Sequence, residues 1–125
     1  MRYIYLSIIL LLSSVSIIAQ EEKIYTFYSD VTIEESGMIR VKEEIRIFSK
    51  GDVFKRGITR SLPLTRRDIQ NNRISIGYSV SEVLMNGSPV NYFTEREGGD
   101  LIIYVGDRNI FLDPGFYIYE IYYET

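Results

Sequence analysis

The sequence predicts an all-β domain, an antiparallel β-sandwich of Ig-like or open-barrel-like type, preceded by a signal segment. Apolar and polar residues alternate along most of residues 20–125, and turn residues interrupt the alternation at short intervals. The 11 Tyr and 6 Phe suit the half-buried surface of a sheet. Six or seven short strands with turns between them fit a sandwich or an open barrel.

The first nineteen residues predict a signal peptide for secretion. Arg2 precedes the apolar run Ile4–Leu12, and small residues follow it up to Ala19. Cleavage after Ala19 leaves residues 20–125 as one extracytoplasmic domain. The alternative is an uncleaved anchor, because the apolar stretch 3–19 is about the minimum length for a membrane span. Both alternatives place the domain outside the cytoplasm.

The first predicted strands are Tyr25–Ile33 and Met38–Phe48, and the turn Glu35-Ser36-Gly37 between them indicates a hairpin. The segment Ser49–Asn72 then breaks the alternation. Its glycines, Pro63 and basic residues predict a long ordered loop, with one extended piece near Ile58–Leu64.

Alternation returns in the second half of the chain. Asn86-Gly87 is a strong signal for a two-residue hairpin turn, and Gly98-Gly99-Asp100 predicts another turn. The last predicted strand is apolar on both faces, which favours a central position or cover by a partner. The predicted strands are Arg73–Leu84, Val90–Thr94 as the return from the first turn, Leu101–Val105 and Phe116–Tyr123.

Composition excludes several kinds of site. Cys and His are both absent, which removes thiol nucleophiles, disulfides, the common zinc sites and the Ser-His-Asp triad. Lys and Arg number 14 against 17 Asp and Glu, and this acidic balance argues against a nucleic-acid partner. Asp107, Asn109 and Asp113 lack the spacing of an EF-hand and suit ordinary turns. We expect no cofactor and no metal, and carboxylates are the only catalytic groups left.

Glu43 alternates with Val41 and Ile45 on the side of its strand that is predicted to face the core. An ionised carboxylate is costly there unless it is paired. We favour a structural ion pair with Arg56 or Arg60, and a general acid is the alternative.

A basic cluster lies in the predicted loop, and its members are Lys50, Lys55, Arg56, Arg60, Arg66 and Arg67. All but Lys50 are candidate binding residues for a lipid head group or a sulfated or phosphorylated polymer. The alternative, which we favour, is that some of them hold the loop in place and the others are solvated. No aromatic residue interrupts 56–68, so the stacking platform used on single-stranded nucleic acid is missing.

Three stretches carry a resemblance to a known family: Phe27–Ile47, Lys55–Pro63 and Tyr104–Tyr123. With the motifs RGI-x-R-x-x-P and GD…PG…Y-x-I-x-Y, they resemble the extracytoplasmic N-terminal domain of the YciQ-like predicted membrane proteins, a bacterial family classed as a domain of unknown function. The resemblance implies a signal segment, an outward-facing β domain and a membrane region further on. It implies no enzymatic chemistry.

Three hypotheses for function follow. The first is a non-catalytic extracytoplasmic domain that acts by binding or assembly, with the Lys55–Arg67 loop and the last strand as contact surfaces. Its partner would be another envelope protein or a C-terminal part of the same protein, since an apolar strand near Thr125 suggests that the domain continues. The second is a small exported hydrolase with paired carboxylates. The third is a module that binds anionic lipid or polysaccharide.

Overall fold

The computed structural model describes residues 20–125, which form ten strands and contain no helix, so no helix in this range could cross a membrane. The predicted signal peptide, residues 1–19, lies outside the described residues. The strands are β1 (Lys23–Ile33), β2 (Ile39–Ser49), β3 (Gly57–Pro63), β4 (Thr65–Arg67), β5 (Arg73–Ser75), β6 (Ser79–Met85), β7 (Ser88–Pro89), β8 (Tyr92–Glu97), β9 (Asp100–Gly106) and β10 (Gly115–Glu124).

Two antiparallel sheets form the sandwich, which confirms the predicted fold class. Sheet A has the strand order β1-β2-β10-β6-β7, and sheet B has the order β3-β9-β8. A separate hairpin consists of β4 and β5. β10 pairs with both β2 and β6, so the strand that is apolar on both faces occupies the centre of sheet A.

The core lies between the inward faces of sheets A and B, where alternate residues of β2 and β10 meet those of β3 and β9. Strict alternation explains this arrangement, because successive side chains of a strand point to opposite faces. The buried apolar residues are Val41, Ile45, Ile47, Ile58, Leu62, Val83, Ile103, Val105, Tyr119, Ile121 and Tyr123.

Both predicted two-residue turns are present. Asn86 and Gly87 have positive φ angles of 51° and 80°, which is the backbone of a type I′ hairpin turn. Gly98 and Gly99 make the equivalent turn between β8 and β9, with φ angles of 59° and 87°.

The predicted return strand Val90–Thr94 is wrong in its bounds and its partner. The return along β6 lasts only for β7, and the chain then crosses to sheet B, where β8 pairs with β9. Pro89 has no N–H to donate, which suits the end of such a short pairing. The predicted strand Arg73–Leu84 is also divided, into β5 and β6.

The extended piece predicted near Ile58–Leu64 is present as β3, but it is a core strand and the short strand β4 follows it, so the prediction of a long loop over Ser49–Asn72 is wrong for its second half. Arg60 lies between Ile58 and Leu62 on the inward face of β3, and this charge disguises the alternation. Gly57 and Gly106 are register partners at the end of β3 and β9. A Cβ atom on Gly57 would lie 1.8 Å from the carbonyl oxygen of Val105, so this close approach requires glycine.

Candidate functional site

A buried ion pair joins the two sheets. The Glu43 side chain is 2% exposed, and Arg60 reaches it from β3. Nε of Arg60 donates to Oε2 at 2.6 Å, and Nη2 donates to Oε1 at 2.7 Å. The Tyr123 hydroxyl donates to Oε1 at 2.9 Å. Glu43 therefore accepts a two-pronged arginine and a tyrosine, which is the geometry of a strong charge-assisted pair.

The surroundings of this pair favour a structural role over proton transfer. The hydrogen bond that Arg60 donates to Glu43 raises the pKa of Arg60. Burial is the main cause that raises the pKa of Tyr123, and its hydrogen bond to Glu43 is the second. Arg60 also donates to the Ser61 carbonyl at 2.7 Å and lies over the ring of Phe27. Both carboxylate oxygens are thus occupied by groups that keep their protons.

The Tyr119 hydroxyl is the exception in this region. Tyr119 is fully buried on β10, and its hydroxyl has no hydrogen-bond partner among residues 20–125. Burial raises the pKa of Tyr119 to about 12. Glu43 and Tyr119 thus lie on the same sheet, but the Glu43 carboxylate has its hydrogen bonds and the Tyr119 hydroxyl has no partner in the described residues.

The structure divides the predicted basic cluster. Arg60 is 30% exposed and pairs with Glu43, whereas Arg56 lies over the ring of Phe111, 4.8 Å from its centroid, and does not contact Glu43. Lys55 and Arg56 lie at the N-terminal end of β3. Arg66 and Arg67 belong to the β4–β5 hairpin, where they are exposed. The five candidate residues therefore do not form one surface.

A cleft of about 380 Å³ lies at the outward face of sheet B. We call it the aromatic–cation cleft, defined by Lys55, Arg56, Thr59, Phe93, Tyr104 and Arg108. Phe93 and Tyr104 are cross-strand partners and stack with ring centroids 4.7 Å apart. Arg108 lies over the Phe93 ring at 5.1 Å.

Phe93, Tyr104 and Arg108 were not among the predicted site residues. The signal that finds them is the Gly98-Gly99 turn. A two-residue turn fixes the register of the hairpin, and counting outward from Glu97 and Asp100 places Phe93 opposite Tyr104.

The sandwich is open along one side, where β1 and β3 are the edge strands of their sheets. The inward-facing apolar residues of β1 are exposed there, Phe27 by 46%, Val31 by 52% and Ile33 by 73%. A groove of about 390 Å³ runs between β1 and β3. Only one edge of β3 is paired in the described residues, through β9. We call this surface the open side.

The β4–β5 hairpin follows directly after β3 and carries Arg66, Arg67 and Arg73. Arg67 lies directly opposite Arg73, an arrangement of like charges that is unfavourable. Within residues 20–125 no carboxylate lies within 4 Å of these guanidinium groups. Asp68, in the turn between the two strands, accepts hydrogen bonds from the backbone of Gln70 and Asn72 and balances one of the three arginine charges. The hairpin thus carries a net positive charge.

Two carboxylates do face each other, on the outward face of sheet A. Glu44 is the register partner of Glu120, and Glu120 forms an ion pair of 2.9 Å with Lys42. The two larger clefts are lined by other residues. In residues 20–125, no group of three or more acidic residues is placed to hold a metal ion. This face is a charged sheet surface outside the larger clefts.

The chain is similar to a protein from Escherichia coli (strain K12) named uncharacterized protein YciQ. The two are 29% identical over 105 residues, an alignment that covers 84% of this chain and 17% of that protein. The chain thus spans less than a fifth of the length of this relative. No protein-family model matches the chain. No solved structure matches it. The similarity supports a YciQ-like family and carries no biochemical activity with it.

Proposed function

We propose that this chain is a non-catalytic extracytoplasmic domain that acts by assembly. Its open side receives one extended strand from a partner polypeptide of the cell envelope, which adds to β3. The observation that carries the proposal is the exposure of the inward apolar face of β1 beside the unpaired edge of β3.

The physical case begins with the uncovered side chains. Fully burying a side chain such as Val31 or Phe27 stabilises by about 1.5–3 kcal/mol. The edge of β3 offers a row of backbone N–H and C=O groups, which only another extended backbone can pair in sequence. A strand added to β3 satisfies both needs, because its inward side chains would lie against β1.

Charge specifies the chemistry of the partner strand. Beyond Pro63 the added strand would meet the β4–β5 hairpin, with Arg66, Arg67 and Arg73 exposed. Acidic residues at that end would neutralise the hairpin and relieve the repulsion between Arg67 and Arg73. We therefore expect a partner strand that is apolar at alternate positions and acidic at one end.

Two observations support the non-catalytic and extracytoplasmic parts. Glu43 is held by Arg60 and Tyr123, and the facing carboxylates Glu44 and Glu120 lie outside the larger clefts. The features of residues 1–19 are those of an export signal.

Thermal unfolding of the purified protein with synthetic peptides tests the proposal. The probe is a peptide of alternating valine and threonine with three aspartates at one end. Its binding should raise the melting temperature as its concentration increases, because a ligand that binds only the folded state stabilises it. The control peptide has the same length and charge but carries prolines in place of two central residues, and prolines cannot pair along a strand.

Variants locate the effect on the open side. Val31→Lys should abolish the stabilisation by the probe, whereas Lys42→Gln, on the outward face of sheet A, should leave it unchanged. A melting temperature that does not respond to the probe, or responds equally to the proline peptide, would contradict the assembly proposal.

A further inference from the structure

We infer that the aromatic–cation cleft is a binding site for an acidic saccharide, one that carries carboxylate or phosphate groups on its sugar rings. The cleft opens on the outward face of sheet B and adjoins the groove of the open side, with which it shares Val53, Gly57, Ile58 and Thr59. Its residues from β8, β9 and the loop after β9 do not line that groove, so this inference goes beyond the assembly proposal.

Tyr104 supplies a half-buried aromatic ring to the cleft. Tyr104 and Phe93 stack with an interplanar angle of 12°, so Tyr104 uses one face against Phe93. Its other face is on the side of β3, where Thr59 is its register partner. The Tyr104 hydroxyl donates to Glu97 at 3.3 Å, which fixes the ring. A flat apolar face beside a threonine hydroxyl suits a sugar ring, which has both C–H and O–H groups.

The cations are oriented before any ligand arrives. Arg56 lies over Phe111, and Arg108 lies over Phe93. A stacked guanidinium keeps the N–H groups at its edge free to bind a carboxylate or phosphate in a planar, two-pronged way. In the described part of the chain, no carboxylate lies within salt-bridge distance of Lys55, Arg56 or Arg108.

The cleft contains one acidic group, Asp107, and its oxygens are already engaged. Oδ1 accepts the Asn109 backbone N–H at 2.8 Å, and Oδ2 accepts the Asn91 amide at 3.2 Å. Lys55, Arg56 and Arg108 form a positive end of the cleft beside this occupied carboxylate, whereas Glu97 and Glu95 lie near the Tyr104 hydroxyl at its edge. Such a local field selects an anion.

The size of the cleft limits the ligand. A volume of about 380 Å³ is at the lower end of the range for small-molecule sites, which suits one or two sugar rings. A bare phosphate would leave the Tyr104 face uncovered, and a neutral sugar would leave the arginines unpaired. The combination of ring and charge is what the residues of the cleft match.

Calorimetric titration of the purified protein with tetragalacturonic acid tests the inference, and cellotetraose is the neutral control. We expect measurable binding of the acidic tetrasaccharide, weakened by added salt, and none of the neutral one. Arg56→Gln and Arg108→Gln should each weaken binding about tenfold through loss of charge-assisted hydrogen bonds. Tyr104→Leu should also weaken it, with the melting temperature measured to establish folding.

Arg73→Gln is the matched control, since it removes the same charge from the β4–β5 hairpin. An equal loss of affinity in Arg73→Gln would overturn the site, as would equal binding of cellotetraose or no binding of tetragalacturonic acid. If inorganic phosphate displaced tetragalacturonic acid at equal concentration, the assignment of the ligand as a saccharide would be overturned. Val31→Lys should leave saccharide binding intact, which separates this result from the outcome of the peptide experiment.

Discussion

β1 and β2 are adjacent strands of equal length, 11 residues each, with the same alternation of apolar and polar residues. The inward side chains of β2 are mostly buried, whereas those of β1 are mostly exposed. Val31 of β1 and Val41 of β2 are register partners that face the same side of sheet A. Val41 is 8% exposed, whereas Val31 is 52% exposed. The residue type, the length of the strand and the orientation of the side chain are the same, so the difference in exposure comes from how far sheet B covers each strand.

The comparison separates two questions that a sequence pattern combines. Alternation determines which side chains point inward. Whether they are covered depends on the number of strands across the sandwich, and sheet B has three strands against the five of sheet A. The inward side chains of β2 are covered by β3 and by the side chain of Arg60. Those of β1 lie beyond the edge of sheet B and are not covered.

The largest expected effect comes from breaking the ion pair beneath β2. Arg60→Leu leaves Glu43 as an uncompensated buried charge, which should reduce the free energy of unfolding by about 3 kcal/mol. Urea denaturation of the wild type and the variant measures this loss.

Arg40→Leu is the matched control for that experiment. Arg40 is on the outward face of β2, the strand that carries Glu43. It pairs there with Glu34 and Glu124 and is 59% exposed. Exposed pairs contribute about 0–1 kcal/mol, so this variant should remain close to the wild type. Equal losses in the two variants would show that the sheets do not depend on the Glu43–Arg60 pair.

The next effect tests the two register partners directly. Val41→Ala should cost about 2 kcal/mol, because it removes buried methyl groups, and Val31→Ala should cost at most about 0.5 kcal/mol. Parallel denaturation curves measure both. A large loss in Val31→Ala would mean that the β1 face is covered in solution, for example by a second copy.

The smallest effect concerns the orphaned hydroxyl of Tyr119. Tyr119→Phe should stabilise by about 1 kcal/mol, because it removes a buried polar group without a partner. Tyr117→Phe, on the same strand, removes a hydroxyl that donates to the Asp113 carbonyl at 2.7 Å and should not stabilise. A loss of stability in Tyr119→Phe would mean that the hydroxyl is hydrogen-bonded in solution.

Alkaline pH sharpens this prediction. The raised pKa of Tyr119, about 12, means that the folded state holds its proton more tightly than the unfolded state, whose tyrosines titrate near pH ~10. Stability is therefore complete below about pH 10 and falls as the pH rises toward about 12. Tyr119→Phe should show a shallower fall over this range.

Local signals in the sequence predict much of sheet A. Alternation predicts β1, β2 and β10, and the apolar faces of β10 predict its central place. The Asn86-Gly87 turn is likewise local. β3 is predicted only as a short extended piece within a loop, because Arg60 occupies an inward position and is compensated by Glu43, 17 residues away. The crossing of the chain from sheet A to sheet B after Pro89 is not predicted from the sequence, because tertiary packing decides which sheet a strand joins.

The candidate sites follow the same division. Glu43 is identified as a paired residue from its place in the alternation, but the choice of Arg60 over Arg56 depends on how β3 pairs. The aromatic–cation cleft combines residues from the β2–β3 loop, β3, β8, β9 and the loop after β9. No local spacing relates Arg56 to Arg108, because only the pairing of β3 with β9 brings them to one surface.

The central place of β10 has a consequence for the order of folding. β10 is the last strand in the sequence, and it pairs with both β2 and β6 at the centre of sheet A. The β1–β2 hairpin forms from neighbouring residues, but the other edge of β2 is paired only when β10, more than 60 positions later, arrives. Such distant pairings make folding slow, and a chain emerging from the ribosome would remain without the centre of sheet A until Gly115–Glu124 is available.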